Sequence, residues 1–107
     1  MYSIGIYGAE DGTTVTNNKN TVLNANNITG IYVEKNVKAI NNGSIVTGTS
    51  GLSNVTGIVL DSGSTLTNNG AINISGATSK GVLLKGGTIA NYGTITVSGI
   101  DLKETDS

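Results

Sequence analysis

Cysteine is absent from this 107-residue chain, and so are proline, histidine, phenylalanine, tryptophan and arginine. Without cysteine there is no disulfide scaffold and no thiolate zinc site. Without histidine the commonest general base is missing, and without cysteine the commonest thiol nucleophile. Charge is also scarce. Six lysines stand against seven acids, for a formal net charge of −1. The lysines form no basic patch, which excludes nucleic acid as a partner. No apolar run approaches the roughly 20 residues that span a bilayer, which excludes direct insertion of the segment as a helix. No secretory leader pattern precedes the first repeat, and repeat-like sequence starts almost at Met1. We therefore expect a piece of a longer chain.

What is present is glycine, asparagine, threonine and serine, about half of the residues together. Such a composition can mean disorder, but disorder usually brings high net charge and few β-branched residues. Here Ile, Val and Thr recur at regular places, and that regularity is an internal repeat. A Gly opens each unit: Gly5 (GIYG), Gly30 (GIYV), Gly57 (GIVL) and Gly81 (GVLL), at spacings of 25, 27 and 24 residues. Behind each Gly lie alternating apolar residues, such as Ile31 and Val33 or Ile58 and Leu60. A second segment carries Ala39, Leu66 or Ile89 into an Asn-x-Gly turn, and a third leaves it with Ile45, Ile72 and Ile74, or Ile95 and Val97.

Period-two alternation is the signature of strands. Three short strands that return in the same order every 25 residues or so cannot be hairpins. They wind as one coil of a solenoid, each strand pairing in parallel with its counterpart about 4.8 Å along the axis. The sequence thus predicts a single all-β unit over residues 1–107, a parallel β-helix of four coils at about 5–29, 30–56, 57–80 and 81–107. A leucine-rich repeat has a similar period, but its LxxLxLxxN pattern is absent. A helical repeat is excluded by the Gly and β-branched content.

In this register Asn17, Asn41, Asn68 and Asn91 fall at one place per coil, two residues after an inward apolar position. An inward amide is costly unless it is hydrogen bonded. Stacked amides supply that bond along the axis, so we expect an Asn ladder. Gly43, Gly70 and Gly93 follow the ladder residues, and we expect them to make the bend with positive φ. Lys19 replaces this Gly in coil 1, which predicts a wider or shifted turn there. The return connection is longest at residues 48–56. Its residues Thr49, Ser50, Leu52, Ser53 and Asn54 form the candidate partner loop, because Leu52 has no evident place in the core. An alternative register makes Gly99 open a fifth first strand, with Ile100 and Leu102 inward.

The strings YSIGIYG, NITGIYV, GSTLTNNGAINISG and GGTIANYGTITVSG resemble the passenger repeats of autotransporter adhesins of Gram-negative bacteria, the type V secretion family. The resemblance covers nearly the whole chain. It implies a right-handed parallel β-helix displayed outside the cell at the bacterial surface and carried there by a C-terminal outer-membrane barrel. That barrel is not in this sequence. Cysteine is usually missing from such passengers, since a disulfide formed in the periplasm would hinder passage through the barrel. The implied role is a stalk or adhesion module in virulence. Its implied partners are adjacent passenger repeats and a host-cell or bacterial surface receptor, protein or glycan.

Residues for chemistry are few. Glu34 and Asp61 fall four residues after successive opening Gly residues, and Lys85 takes the third place. Two outer carboxylates beside a lysine suit a solvated edge better than a catalytic pair. No nucleophile elbow and no phosphate-binding loop occur. We therefore expect no catalysis, no metal and no cofactor. The sequons at Asn27, Asn42, Asn54 and Asn73 read as structural asparagines. Two alternatives stay open. A polysaccharide-active β-helix or its remnant would need an acid cluster in a groove. An ice-binding solenoid would need unbroken outward T-x-T ranks. Thr14/Thr16 and Thr65/Thr67 supply such ranks, while Lys38/Ile40 and Thr88/Ala90 interrupt them.

Overall fold

A computed structural model describes residues 3–49 and 51–98. The described residues form strands and turns only, in four coils of three strands. Coil 1 holds β1 (Ser3–Gly8), β2 (Thr14–Asn17) and β3 (Asn20–Leu23). Coil 2 holds β4 (Ile28–Val33), β5 (Lys38–Asn41) and β6 (Ser44–Thr47). Coil 3 holds β7 (Val55–Leu60), β8 (Thr65–Asn68) and β9 (Ala71–Ser75). Coil 4 holds β10 (Lys80–Leu84), β11 (Thr88–Asn91) and β12 (Thr94–Ser98).

Strands of equal rank pair in parallel and build three four-stranded sheets: β1-β4-β7-β10, β2-β5-β8-β11 and β3-β6-β9-β12. The chain is therefore a parallel β-helix, as the repeat predicts. The register is the predicted one. Ile31 lies beside Ile58, Leu66 beside Ala39, and Ile72 beside Ile45. One apolar column fills the interior. Ile31, Val33, Ala39, Ile45, Val55, Ile58, Leu60 and Ile72 have no measurable exposure. A lone coil could not bury them, because each finds its contacts in the coils before and after it.

The strands of the first sheet begin before their opening Gly. Ile28 and Thr29 already pair with Val55 and Thr56 ahead of Gly30 and Gly57. The Gly is needed here for space. A Cβ on Gly30 would stand 2.7 Å from the carbonyl oxygen of Gly57, and one on Gly57 would stand 2.5 Å from that of Gly81.

The turn glycines also depart from expectation. Positive φ occurs at Gly12, Asn36, Gly63 and Gly86 in the first corner, and at Asn27, Asn54 and Thr78 in the return. It does not occur at Gly43, Gly70 or Gly93. Those three are required by the coil that precedes each. An added Cβ would lie 2.2, 1.8 and 1.9 Å from the carbonyl oxygens of Lys19, Gly43 and Gly70. Coil 1 is neither wider nor shifted at Lys19. The carbonyl of Lys19 accepts from Ser44 N at 3.1 Å, just as that of Gly43 accepts from Ala71 N at 3.0 Å. Among the described residues no coil lies on the outer side of Lys19, so its side chain has room.

Two expectations fall outside the described residues: the structure of Ser50, and the choice between registers at 99–107, including Ile100 and Leu102.

Candidate functional site

The Asn ladder is present. Asn17 Nδ2 donates to Asn41 Oδ1 at 2.9 Å, Asn41 Nδ2 to Asn68 Oδ1 at 2.8 Å, and Asn68 Nδ2 to Asn91 Oδ1 at 2.9 Å. Strands β2, β5, β8 and β11 set these residues in one rank, Asn91 beside Asn68 and Asn17 beside Asn41. Each amide nitrogen also reaches a main-chain carbonyl at the start of the next third strand. Asn17, Asn41 and Asn68 donate to Ser44 O, Ala71 O and Thr94 O at 3.3, 3.2 and 3.1 Å. The buried amides are thereby satisfied, which is what lets polar groups stand in an apolar column. Asn91 is exposed at the end of the row.

Further ranks run outside the coil. Asn69 Nδ2 donates to Asn42 Oδ1 at 2.8 Å, and Asn42 Nδ2 to Asn18 Oδ1 at 2.9 Å. This ladder runs opposite in donor direction to the inner one. At the return corner Asn54 Nδ2 donates to Asn27 Oδ1 at 2.8 Å. Three of the sequon asparagines, 27, 42 and 54, thus have their side chains in axial pairs, while Asn73 is exposed on β9. The doubled asparagines at 17–18, 41–42 and 68–69 were the available signal for the outer ladder. Alternation gives which side a residue faces, but not that outward neighbours will bond to one another.

The candidate partner loop lies close against its neighbours. Leu52 packs on the core, which corrects the expectation that it has no place there. Ser53 forms a parallel bridge with Ala77, and its N–H donates to Asn26 Oδ1 at 2.9 Å. Thr49 Oγ1 donates to Asn24 Oδ1 at 3.1 Å. The loop can carry an extra apolar residue because the coil surface offers Leu52 a seat. The observation that singled it out is therefore gone.

A different surface stands out on the first sheet. The outward rank there is Tyr7, Tyr32, Val59 and Leu83, in successive strands. In this aromatic and aliphatic rank Tyr7 is exposed, Tyr32 and Leu83 are partly exposed and Val59 is buried, while Val22 and Tyr92 are exposed elsewhere on the coil. The Tyr7 and Tyr32 rings are 5.7 Å apart and tilted by 40°. Beside them runs the expected row of Glu34, Asp61 and Lys85. Their N–H groups donate to Gly8, Val33 and Leu60 carbonyls at 2.8, 3.1 and 2.8 Å. The row is engaged. The Tyr7 hydroxyl donates to the Glu34 carboxylate, and Lys85 Nζ lies 5.8 Å from the centre of the Tyr32 ring. Donation to Glu34 holds the Tyr7 phenol above its ordinary pKa, with partial desolvation and the Glu34 charge adding to the effect. Asp61 Oδ1 accepts from Ser62 N at 2.7 Å. Tyr7 remains 52% exposed, so the tyrosine end of the rank is open to a partner. The GIY words held its signal, but each Tyr was visible only as part of a repeat phrase.

Elsewhere the chemistry is sparse. Among the described residues no three acids, histidines or cysteines come together as a metal site. Two surface hollows, of about 330 and 300 Å³, lie over the second and third sheets. Lys38, Thr65 and Asn36 line the first and Asn73 and Thr96 the second, and neither is lined by a carboxylate. The outward ranks of the second sheet are Thr14, Lys38, Thr65, Thr88 and Thr16, Ile40, Thr67, Ala90, broken where the sequence indicated. No protein family, curated protein or solved structure matches this chain.

Proposed function

We propose that this chain is a structural and adhesive segment of an extracellular autotransporter passenger, held at the surface of a Gram-negative bacterium. It acts as a length of stalk without catalysis. The resemblance of its repeats supports the placement. The parallel β-helix supports the mechanical role, because every coil is tied to the next by main-chain bonds on three sides and by side-chain ladders at the corners. Such a stack is stiff along its axis and extends by simple repetition.

Contact with a surface receptor, protein or glycan, falls on the Tyr7–Tyr32 end of this rank. The single observation behind this is the tilted Tyr7–Tyr32 pair on the outer side of the first sheet, with Tyr7 exposed and Tyr32 partly so. Tyrosines bring large contact area at low entropic cost, and their hydroxyls suit a wet interface. The flanking Glu34, Asp61 and Lys85 would make the polar rim.

Purified chain on beads tests the reading against host cells and against bacteria. Attachment should fall at least about tenfold with Tyr7→Ser/Tyr32→Ser, a loss of about 1.4 kcal/mol. Exchange of 49–55 for the short return of coil 3 should leave attachment intact. Attachment unaffected by the tyrosine pair and lost with the loop would return the contact to the loop. Release of oligosaccharide from a polysaccharide would overturn the non-catalytic reading.

A further inference from the structure

The two ends of the solenoid are not alike. At the corner after the ladder residue, coils 2, 3 and 4 carry Gly43, Gly70 and Gly93. A Cβ on any of them would fall within 2.2 Å of a carbonyl oxygen in the preceding coil. Real Cβ atoms do not approach a backbone atom below 3.0 Å. Coil 1 carries Lys19 at this place. A coil stacked before coil 1 in the same geometry would drive its corner carbonyl into the Lys19 side chain.

The ladder is finished at the same end. Asn41, Asn68 and Asn91 each accept from the amide of the preceding coil through Oδ1. Asn17 has no preceding coil among the described residues, and its Oδ1 accepts instead from Thr21 Oγ1 at 3.0 Å. Thr21 pairs in rank with Ile45, which pairs with Ile72, and Ile72 with Ile95. Coil 1 has therefore exchanged a core isoleucine for a hydroxyl that closes the open acceptor of the ladder. Two independent substitutions, one steric and one polar, act at one end.

Among the described residues the other end has neither. Asn91 is exposed, and Val82, Leu84, Ile89, Ile95 and Val97 are only partly buried. That end has the form a following coil would need.

We propose that coil 1 is a terminating coil, whose outer face rejects any coil bearing this Asn-x-Gly corner. The exclusion includes the coil-4 end of a second copy. Copies of the chain therefore do not add head to tail into filaments, although the strands of coil 4, edges among the described residues, would otherwise template such growth. The inference does not rest on the cell-surface reading above.

Sedimentation of the whole chain over a range up to about millimolar tests it. Wild type should form nothing larger than a dimer. Lys19→Gly/Thr21→Ile should open the face and give species that lengthen with concentration. Lys19→Ala/Thr21→Ile should behave as wild type, because alanine retains the Cβ that makes the block. A cooperative urea transition checks that each variant folds. If the Thr21→Ile pairs fail that check, Lys19→Gly against Lys19→Ala carries the same comparison. Filaments of wild type, a glycine variant no larger than wild type, or an alanine variant that lengthens equally would each overturn the proposal.

Discussion

Replacing Asn68 by alanine should cost far more stability than the same change at Asn91, although both sit in one rank. Asn68 is fully buried. Its amide accepts from Asn41 at 2.8 Å, and donates to Asn91 at 2.9 Å and to Thr94 O at 3.1 Å. A net hydrogen bond is worth about 1 kcal/mol, so losing these bonds removes about 3 kcal/mol. Two effects adjust the figure. Asn41 Nδ2 keeps the carbonyls of Ala71 and Gly43, at 3.2 and 3.4 Å, which lowers the loss. The space left by the amide raises it. We expect about 2–4 kcal/mol for Asn68→Ala. Asn91 is exposed and gives up a single rung, while Asn68 keeps Thr94 O, so Asn91→Ala should cost under about 1 kcal/mol. Asn68→Asp should be worse than alanine at neutral pH. Its carboxylate could accept from Asn41, but it would face Asn91 Oδ1 and Thr94 O with nothing to donate. Burial raises the carboxyl pKa of that variant in the folded state, so its deficit should shrink as pH falls. Urea unfolding followed by far-ultraviolet circular dichroism reads all three variants. Equal losses at Asn68 and Asn91, or an Asn68→Ala loss below about 0.5 kcal/mol, would refute the argument that burial and paired amides give the ladder its worth.

Other substitutions separate close approach from backbone conformation. Gly70→Ala places a Cβ 1.8 Å from the Gly43 oxygen and should cost about 3 kcal/mol or more, as the coils must part. Gly12→Ala meets nothing within 4 Å but keeps φ near +82°, and should cost about 1 kcal/mol; the reverse order in urea would contradict the corner account. Leu52→Ala should lose about 1–2 kcal/mol, because the side chain is half-buried against the core, and a silent substitution would return it to the solvent. Tyr7 should ionise above its ordinary pKa of about 10, and Glu34→Gln should bring it down. Tyrosinate absorbance, with Tyr7→Phe as the reference, follows both. The sign of the linkage is set by the raised folded pKa. The Tyr7–Glu34 contribution is complete below the unfolded pKa and is lost as pH rises through the folded one. An unchanged titration in Glu34→Gln would remove Glu34 as the cause.

Much of the architecture could be read from the residues, and the reason is axial periodicity. In a parallel solenoid the neighbour of a residue is the residue one repeat away. Aligning Gly30 with Gly57, or Asn41 with Asn68, is therefore already a statement about contacts. The ladder followed because an inward amide has only its own kind beside it. What escaped the sequence depends on distances between coils. Gly70 reads like a bend, but its role is set by a carbonyl in the preceding coil. Lys19 looked like a fault in the repeat, yet it keeps the register of its rank and fits because its outer side is open. The Tyr7–Tyr32 stripe escaped for another reason: outward residues carry no burial signal, so nothing in the alternation separates a contact face from a wet one. Leu52 shows the opposite limit, since an irregular return can still find a seat that no period foretells.

Hydrogen exchange of the asparagine side-chain amides, resolved by nuclear magnetic resonance, tests the central claim most directly. The account predicts slow exchange at Asn41 and Asn68, intermediate exchange at Asn17, and fast exchange at Asn91. Uniformly fast exchange, at the rates of free asparagine, would contradict a continuous buried ladder holding the coils in one stack.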